Sequence, residues 1–413
     1  MLLIKGEILE NKDTNIVIET LKEEITATLF SNKLKEEDIL NAADQLVNDF
    51  FNGSLKEELL PYINELEFQD DEVKEMIEQF HSISLQKRID QELGSIKKNK
   101  KLRIAPKGVL LHIAAGNLDV LPAFSVLEGL LTRNINLLKL PSMDNGLSIF
   151  LLKKLIEYQP VLKEYIYVFD TPSSDLITIQ KLMEFANAIV VWGSDEAISA
   201  IRKNAPINTE IIEWGHKLSF CYIADLTITD DVLIALAEHM LKTNQLLCNS
   251  VQGIYLDTID EGEIITFGER FSKILNEVEK RYSLPTYLQG KVTIELLTKQ
   301  LEAIESADKF YLNSRSSVTY KEDSILELSG LYGNIWIKSM KQTDVINNLF
   351  LNKSYLQTVA IYPTSQALID LFSQVGCTSI RSIDQLSTAL LQTHDGRFSL
   401  QQYIRIVELS IAE

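Results

Sequence analysis

Apolar side chains over the first hundred residues recur three and four positions apart among charged ones, as in Glu37-Asp38-Ile39-Leu40-Asn41-Ala42-Ala43-Asp44-Gln45-Leu46. That period predicts amphipathic helices from Leu21 to about Lys98. The basic stretch Lys97-Lys98-Asn99-Lys100-Lys101 reads as a solvated linker closed by Pro106-Lys107-Gly108. After Gly108 the texture changes to short apolar runs separated by amphipathic stretches. Strands are predicted at 109–114, 135–139, 165–169, 188–192 and 218–223, with helices at 121–131, 146–157, 174–185 and 195–203 between them. Runs apolar on both faces belong to parallel strands covered by helices on both sides, so a doubly wound nucleotide-binding domain is expected.

A helix predicted at 230–242 leads into Asn244-Gln245-Leu246-Leu247-Cys248, and a strand at 253–256 follows at once. Helices at 264–282 and 294–306 precede strands near 310–312, 317–320 and 334–337, and the tail adds strand 358–362, helix 366–375 and strand 378–382. The fold class expected is α/β, with two doubly wound lobes and a helical N-terminal segment. Residues 1–100 would pack on the cofactor domain, 101–244 would form that domain, and 245–360 would form a catalytic domain. The segment 361–413 would complete the catalytic lobe or return to the cofactor domain.

Composition narrows the function. Acidic residues outnumber basic ones, 58 to 40 in 413 residues, for a formal net charge of −18. No positive field gathers nucleic acid or anionic membrane, so a cofactor phosphate would need backbone amides or a single lysine. Three widely spaced cysteines, Cys221, Cys248 and Cys377, suit a reducing compartment better than a disulfide framework. With no export signal and no run long enough to span a bilayer, a cytoplasmic protein is expected. The five histidines show no metal-ligand clustering.

Cys248 is the first candidate for chemistry, because a helix–strand junction can present a thiol to a cleft; a lone cysteine is otherwise a small buried hydrophobe, a reading that suits Cys221. Asn117 ends the apolar run Leu110-Leu111-His112-Ile113-Ala114-Ala115-Gly116, where it either donates to an oxyanion or caps the next helix. Lys139, before Leu140-Pro141-Ser142, could meet a ribose hydroxyl or a phosphate. Gly193 and Ser194 stand between a strand and a helix start, the place that favours an anion. Glu213, in Glu213-Trp214-Gly215-His216-Lys217, is either a general base or part of a surface turn. Neither the full Gly-x-Gly-x-x-Gly fingerprint nor a Gly-x-Ser-x-Gly elbow is present.

In this order these pieces resemble the aldehyde dehydrogenase superfamily, and within it the acyl-CoA reductase branch typified by LuxC. The likeness rests on His112 through Ser125, on Leu138-Lys139-Leu140-Pro141-Ser142, on Asn244 through Cys248, and on the closing His394-Asp395-Gly396-Arg397. It runs from about Arg103 to the end. It implies an aldehyde dehydrogenase-like fold in which Cys248 accepts an acyl group, Asn117 donates to the oxyanion and Glu213 holds the general-base position. Lys139, Pro141, Ser142, Gly193, Ser194, Gly215 and Glu327 would contact the cofactor, NADPH by preference with NADH possible. The acyl donor would be acyl-CoA or an acyl-carrier or acyl-transferase protein, the product an aldehyde, and the assembly a homo-oligomer. Two departures stand out: the superfamily's Gly-Gln-x-Cys is here Gln245-Leu246-Leu247-Cys248, and Glu213 is followed by Trp214-Gly215-His216 instead of Leu-Gly-Gly. The rival readings are a CoA-acylating aldehyde dehydrogenase working oxidatively and a non-catalytic acyl-carrier-binding subunit.

Overall fold

The computed structural model describes residues 1–10, 14–62, 74, 77–114, 120–142, 144–282, 286–306, 309–386 and 393–410. The chain divides into two compact units, Met1–Gly215 with Gln392–Glu413, and His216–Leu391.

In the first unit, β1 (Leu2–Ile4) and β2 (Glu7–Leu9) open the chain. The helices α1 (Thr14–Ser31), α2 (Glu36–Phe51) and α3 (Ser82–Lys98) follow. Then come β3 (Leu102–Pro106), β4 (Val109–Ile113), α4 (Leu121–Leu131), β5 (Ile135–Lys139), α5 (Leu147–Tyr158), β6 (Ile166–Phe169), α6 (Leu176–Phe185), β7 (Ala188–Trp192), α7 (Asp195–Asn204) and β8 (Glu210–Trp214). Among the described residues the sheet order is β2-β1-β6-β5-β4-β7-β8, parallel from β6 to β8 with β1 and β2 antiparallel at one edge. Strand β5 is buried at every position and α4 nearly so, which explains why both lack an alternating polar face. The helical segment adds Ile39, Leu46, Phe80, Leu85 and Ile89 to the same core as the sheet.

The second unit holds β9 (Leu218–Ile223), α8 (Asp230–Lys242), β10 (Val251–Leu256), α9 (Glu261–Val278), α10 (Thr286–Ser306), β11 (Lys309–Leu312), β12 (Ser317–Lys321), β13 (Asn334–Ser339), β14 (Leu356–Tyr362), α11 (Gln366–Val375) and β15 (Ser379–Ser382). Its described strands run β11-β12-β13-β10-β9-β14-β15, all parallel except β11. In the tail, β16 (Ile404–Glu408) pairs antiparallel with β3.

Two expectations need correction. Strand 218–223, read as the last of the cofactor domain, pairs with β10 and β14, so the division falls after Gly215 and not after residue 244. A strand buried at all six positions carries no mark of which sheet it joins. The segment 361–413 takes each of its two expected places in part: up to Leu391 it belongs to the second unit, and its end returns to the first. The segment around Glu213 is strand β8 rather than a surface turn.

A buried polar cluster fastens the ends of the first unit. Arg88 on α3 pairs with Glu92 at 2.9 Å and with Glu128 on α4. Glu128 also accepts from Ser399 at 2.9 Å, and Glu92 accepts from the Leu400 amide at 2.7 Å.

Candidate active site

Parallel sheets offer ligands the crevice at the carboxyl ends of their strands, and several candidates stand there in the first unit. Lys139 closes β5 and is 4% exposed; its ammonium donates to Ser173 Oγ at 2.8 Å. Burial lowers its pKa, and the Asp170 carboxylate opposes that fall. Pro141 is buried and Ser142 exposed just beyond it. Gly193 follows β7 and Gly215 follows β8. A side chain on Gly193 would press on Ala197 and one on Gly215 on Ile198, each at 3.1 Å, so both glycines let α7 lie close. Ser194 caps α7 by accepting from the Ala197 amide at 3.4 Å. Asp195 and Glu196 fill the first turn of α7 and already meet its positive end, which leaves Lys139 as the cation of this set. Ammonium, hydroxyl and glycine positions at strand ends suit a dinucleotide. Asn117 lies outside the described residues.

Glu213 is committed elsewhere. Alternation along β8 turns Ile212 and Trp214 to one face and Glu213 to the other. There Arg202 on α7 grips both carboxylate oxygens, Nη2 to Oε2 at 2.6 Å and Nε to Oε1. Trp214 faces Trp192 and His394, whose ring centres lie 4.9–5.5 Å apart, so the closing His-Asp-Gly-Arg segment ends beside β7 and β8.

In the second unit Cys248 lies on the turn between α8 and β10 and is partly exposed. Burial raises the Cys221 thiol far above its ordinary value and pushes the Cys377 thiol up to about 12, although Cys377 is partly exposed like Cys248. Asn244 and Gln245 enter the turn with φ of 48° and 61°. Ser219 Oγ donates to the Cys248 carbonyl at 2.7 Å and accepts from the Thr358 amide at 3.0 Å. The Gln245 side-chain amide bonds the Val251, Gln252 and Gly333 backbone groups.

Glu327 accepts from Lys321 at 2.8 Å and from Lys338 at 2.7 Å. Burial pushes this carboxyl up, but the two lysines outweigh it and hold it below its ordinary range. Lys338 is fully buried and also reaches Asp323 at 2.6 Å. Trp336, whose Nε1 donates to the Glu327 carbonyl at 3.1 Å, lies across Gly253 of β10.

Sequence reasoning missed Ser219, Gln252, Arg202 and Lys338. A polar residue inside a run such as Val251-Gln252-Gly253-Ile254 was the available signal. Among the described residues no cluster of three or more His, Cys, Asp or Glu could hold a metal ion, and no helix is long and apolar enough to cross a membrane.

Two parallel-rich sheets in this order are the architecture of aldehyde dehydrogenases. The chain superposes on a lactaldehyde dehydrogenase with a TM-score of 0.69 at 13% identity, covering 97% of this chain and 92% of that one. It also superposes on the glyceraldehyde-3-phosphate dehydrogenase GapN of Methanocaldococcus jannaschii complexed with NADP, with a TM-score of 0.70 at 15% identity, covering 98% and 95%. Within that fold the chain belongs to the acyl-CoA reductase (LuxC) family, whose model matches residues 31–406. Curated relatives are a long-chain acyl-protein thioester reductase of Aliivibrio fischeri, 25% identical over 65% of this chain and 56% of that one, and a second of Photobacterium leiognathi, 24% identical over 74% and 65%. The match thus spans less than two thirds of either relative's length.

Proposed function

We propose that the protein is a thioester reductase in which Cys248 takes an acyl group from an acyl-protein or acyl-CoA and releases it, after reduction, as an aldehyde. The observation that carries this reading is the helix-to-strand turn of the second unit, which holds Cys248 partly exposed with its carbonyl braced by Ser219, while Cys221 is fully buried in the neighbouring strand. The Cys248 thiolate adds to the thioester carbonyl, with Asn117 proposed as a donor to the oxygen; the donor's C–S bond then breaks and its thiolate leaves, taking up a proton. A reduced nicotinamide cofactor supplies hydride to the acyl carbon when bound. The tetrahedral oxyanion thus formed on Cys248 collapses to the aldehyde, its C–S bond breaking so that the thiolate is restored. Lys139, Pro141, Ser142, Gly193, Ser194, Gly215 and Glu327 are the residues we assign to the cofactor, and the Lys139 ammonium favours the extra phosphate of NADPH. Glu213 could act as a base only when released from Arg202. That suits an enzyme whose acyl intermediate is discharged by hydride and not by water.

Mass spectrometry after incubation with acyl-CoA and no cofactor tests the reading. An adduct of one acyl mass should map to Cys248 and vanish in Cys248→Ala, with NADPH affinity retained; an alanine variant that is still acylated would overturn the assignment. Comparing nicotinamide absorbance in the two directions separates reductase from CoA-acylating dehydrogenase. Absence of a thiol burst with a range of acyl-CoAs would favour the carrier-binding subunit.

A further inference from the structure

The turn that carries Cys248 is held by two buried primary amides. Gln245, 1% exposed, donates from Nε2 to the carbonyls of Val251 at 3.1 Å and Gln252 at 3.3 Å. Gln252, 3% exposed, donates from Nε2 to the carbonyls of Gln245 at 3.0 Å and Ser250 at 3.1 Å. Each side chain thus closes the turn from the opposite end, with Cys248 between them. The two side-chain oxygens reach outward to a second turn, in front of β13. Gln245 Oε1 accepts from the Gly333 amide at 2.9 Å, while Gln252 Oε1 accepts from Ser329, amide at 3.2 Å and hydroxyl at 2.9 Å. The Tyr332 amide adds a bond to the Asn244 carbonyl at 3.0 Å. Within the turn, Ser250 Oγ accepts from the Leu247 amide at 3.1 Å.

Stability alone does not call for this arrangement. At the start of a buried strand, an apolar side chain would avoid the desolvation that each amide must recover through several bonds. A fully satisfied polar network instead selects one geometry over its neighbours. Here the backbone entering the turn is in the left-handed region at Asn244 and Gln245, a conformation that non-glycine residues keep only when the surroundings impose it.

We propose that Gln245 and Gln252 are positioning residues for the Cys248 thiol. They lock the nucleophile turn to the 329–333 turn, so that the sulfur is held on the line of attack toward an acyl carbonyl. The inference rests on the acyl-enzyme reading above.

The test compares two reactions of one sulfur. Acyl transfer from a bulky thioester depends on the direction in which the thiolate points. Alkylation by iodoacetamide, a small reagent free to approach from many sides, depends far less on it. In Gln252→Met, which keeps the length and removes every bond, acylation by acyl-CoA should slow by roughly 30- to 100-fold, in the range expected for a displacement of about 1 Å. Alkylation should change by less than about threefold. Should that variant not fold, judged by its thermal transition and by NADPH binding, Ser329→Ala removes the hydroxyl that donates to Gln252 Oε1 and accepts from the Leu331 amide, leaving the Ser329 amide on Gln252 Oε1. It should slow acylation by roughly three- to tenfold, again with alkylation held. Parallel loss of both reactions, or loss of neither, would overturn the positioning role. A wild-type protein that alkylates at Cys248 but never takes an acyl group would overturn the reading beneath it.

Discussion

His112 and His239 show what burial does to a group that ordinarily titrates near neutrality. His112 lies within β4, fully buried, with Nδ1 at 2.7 Å from Ser125 Oγ and Nε2 at 3.0 Å from Asn136 Oδ1. Burial brings the pKa of each down to about 4; the Asn136 hydrogen bond resists this at His112, and the Asn249 backbone resists it at His239. Both imidazoles are therefore neutral in the native protein and protonate near 6.5 once unfolded. The unfolded state binds the additional protons, so their contribution is whole above pH 6.5 and is lost as pH falls from 6.5 toward 4. Each is worth on the order of 3 kcal/mol across that window. Urea titrations at pH 7, 5.5 and 4.5 should show the decline, and His112→Gln should roughly halve its slope; a flat profile from pH 7 to 5 would contradict the assignment. At this scale the sequence was partly readable. Cys221 was identified as a buried hydrophobe from its apolar neighbours, whereas the partners of Glu213 depend on α7 folding back over β8, which spacing along the chain does not show.

Elements that the hydrophobic period determined by itself came through with close boundaries: 135–139, 188–192 and 230–242 are β5, β7 and α8. Those whose partners are remote did not. Strands β3 and β16 lie about 300 residues apart in the chain and are only two hydrogen-bonded ribbons, so neither carries a strong pattern alone. β8 was obscured by the charged residues at positions 210 and 213, which an edge strand tolerates because one side meets helix and solvent rather than another strand. The attachment of α3 to the tail was equally invisible, since Arg88 meets Ser399 across most of the chain. Arg88→Met would leave Glu92 and Glu128, each nearly buried, without their cation. A loss of about 3–5 kcal/mol is expected, read as a lowered thermal midpoint, and Arg88→Lys should recover only part of it because one ammonium cannot serve both carboxylates in the same geometry.

For the molecule as a whole, the proposed cofactor residues other than Glu327 belong to the first unit, and the thiol belongs to the second. Saturation with NADPH at about a hundred times its Kd would stabilise whatever folds with the site by about 2.7 kcal/mol. Amide-exchange protection should accordingly concentrate in Met1–Gly215 and the tail, around β5 and β7; protection confined to the second unit would contradict the cofactor assignment. Two α/β lobes were legible in the texture of the chain. Their allocation was not, because a continuous apolar strand fits either sheet equally well. A last consequence lies in the tryptophan that crosses β10. Position 253 is bare so that an indole can rest on the main chain and tether the loop bearing Glu327. One methyl group there, in Gly253→Ala, would lift that ring from its seat and carry the disturbance to an acidic side chain more than seventy residues onward.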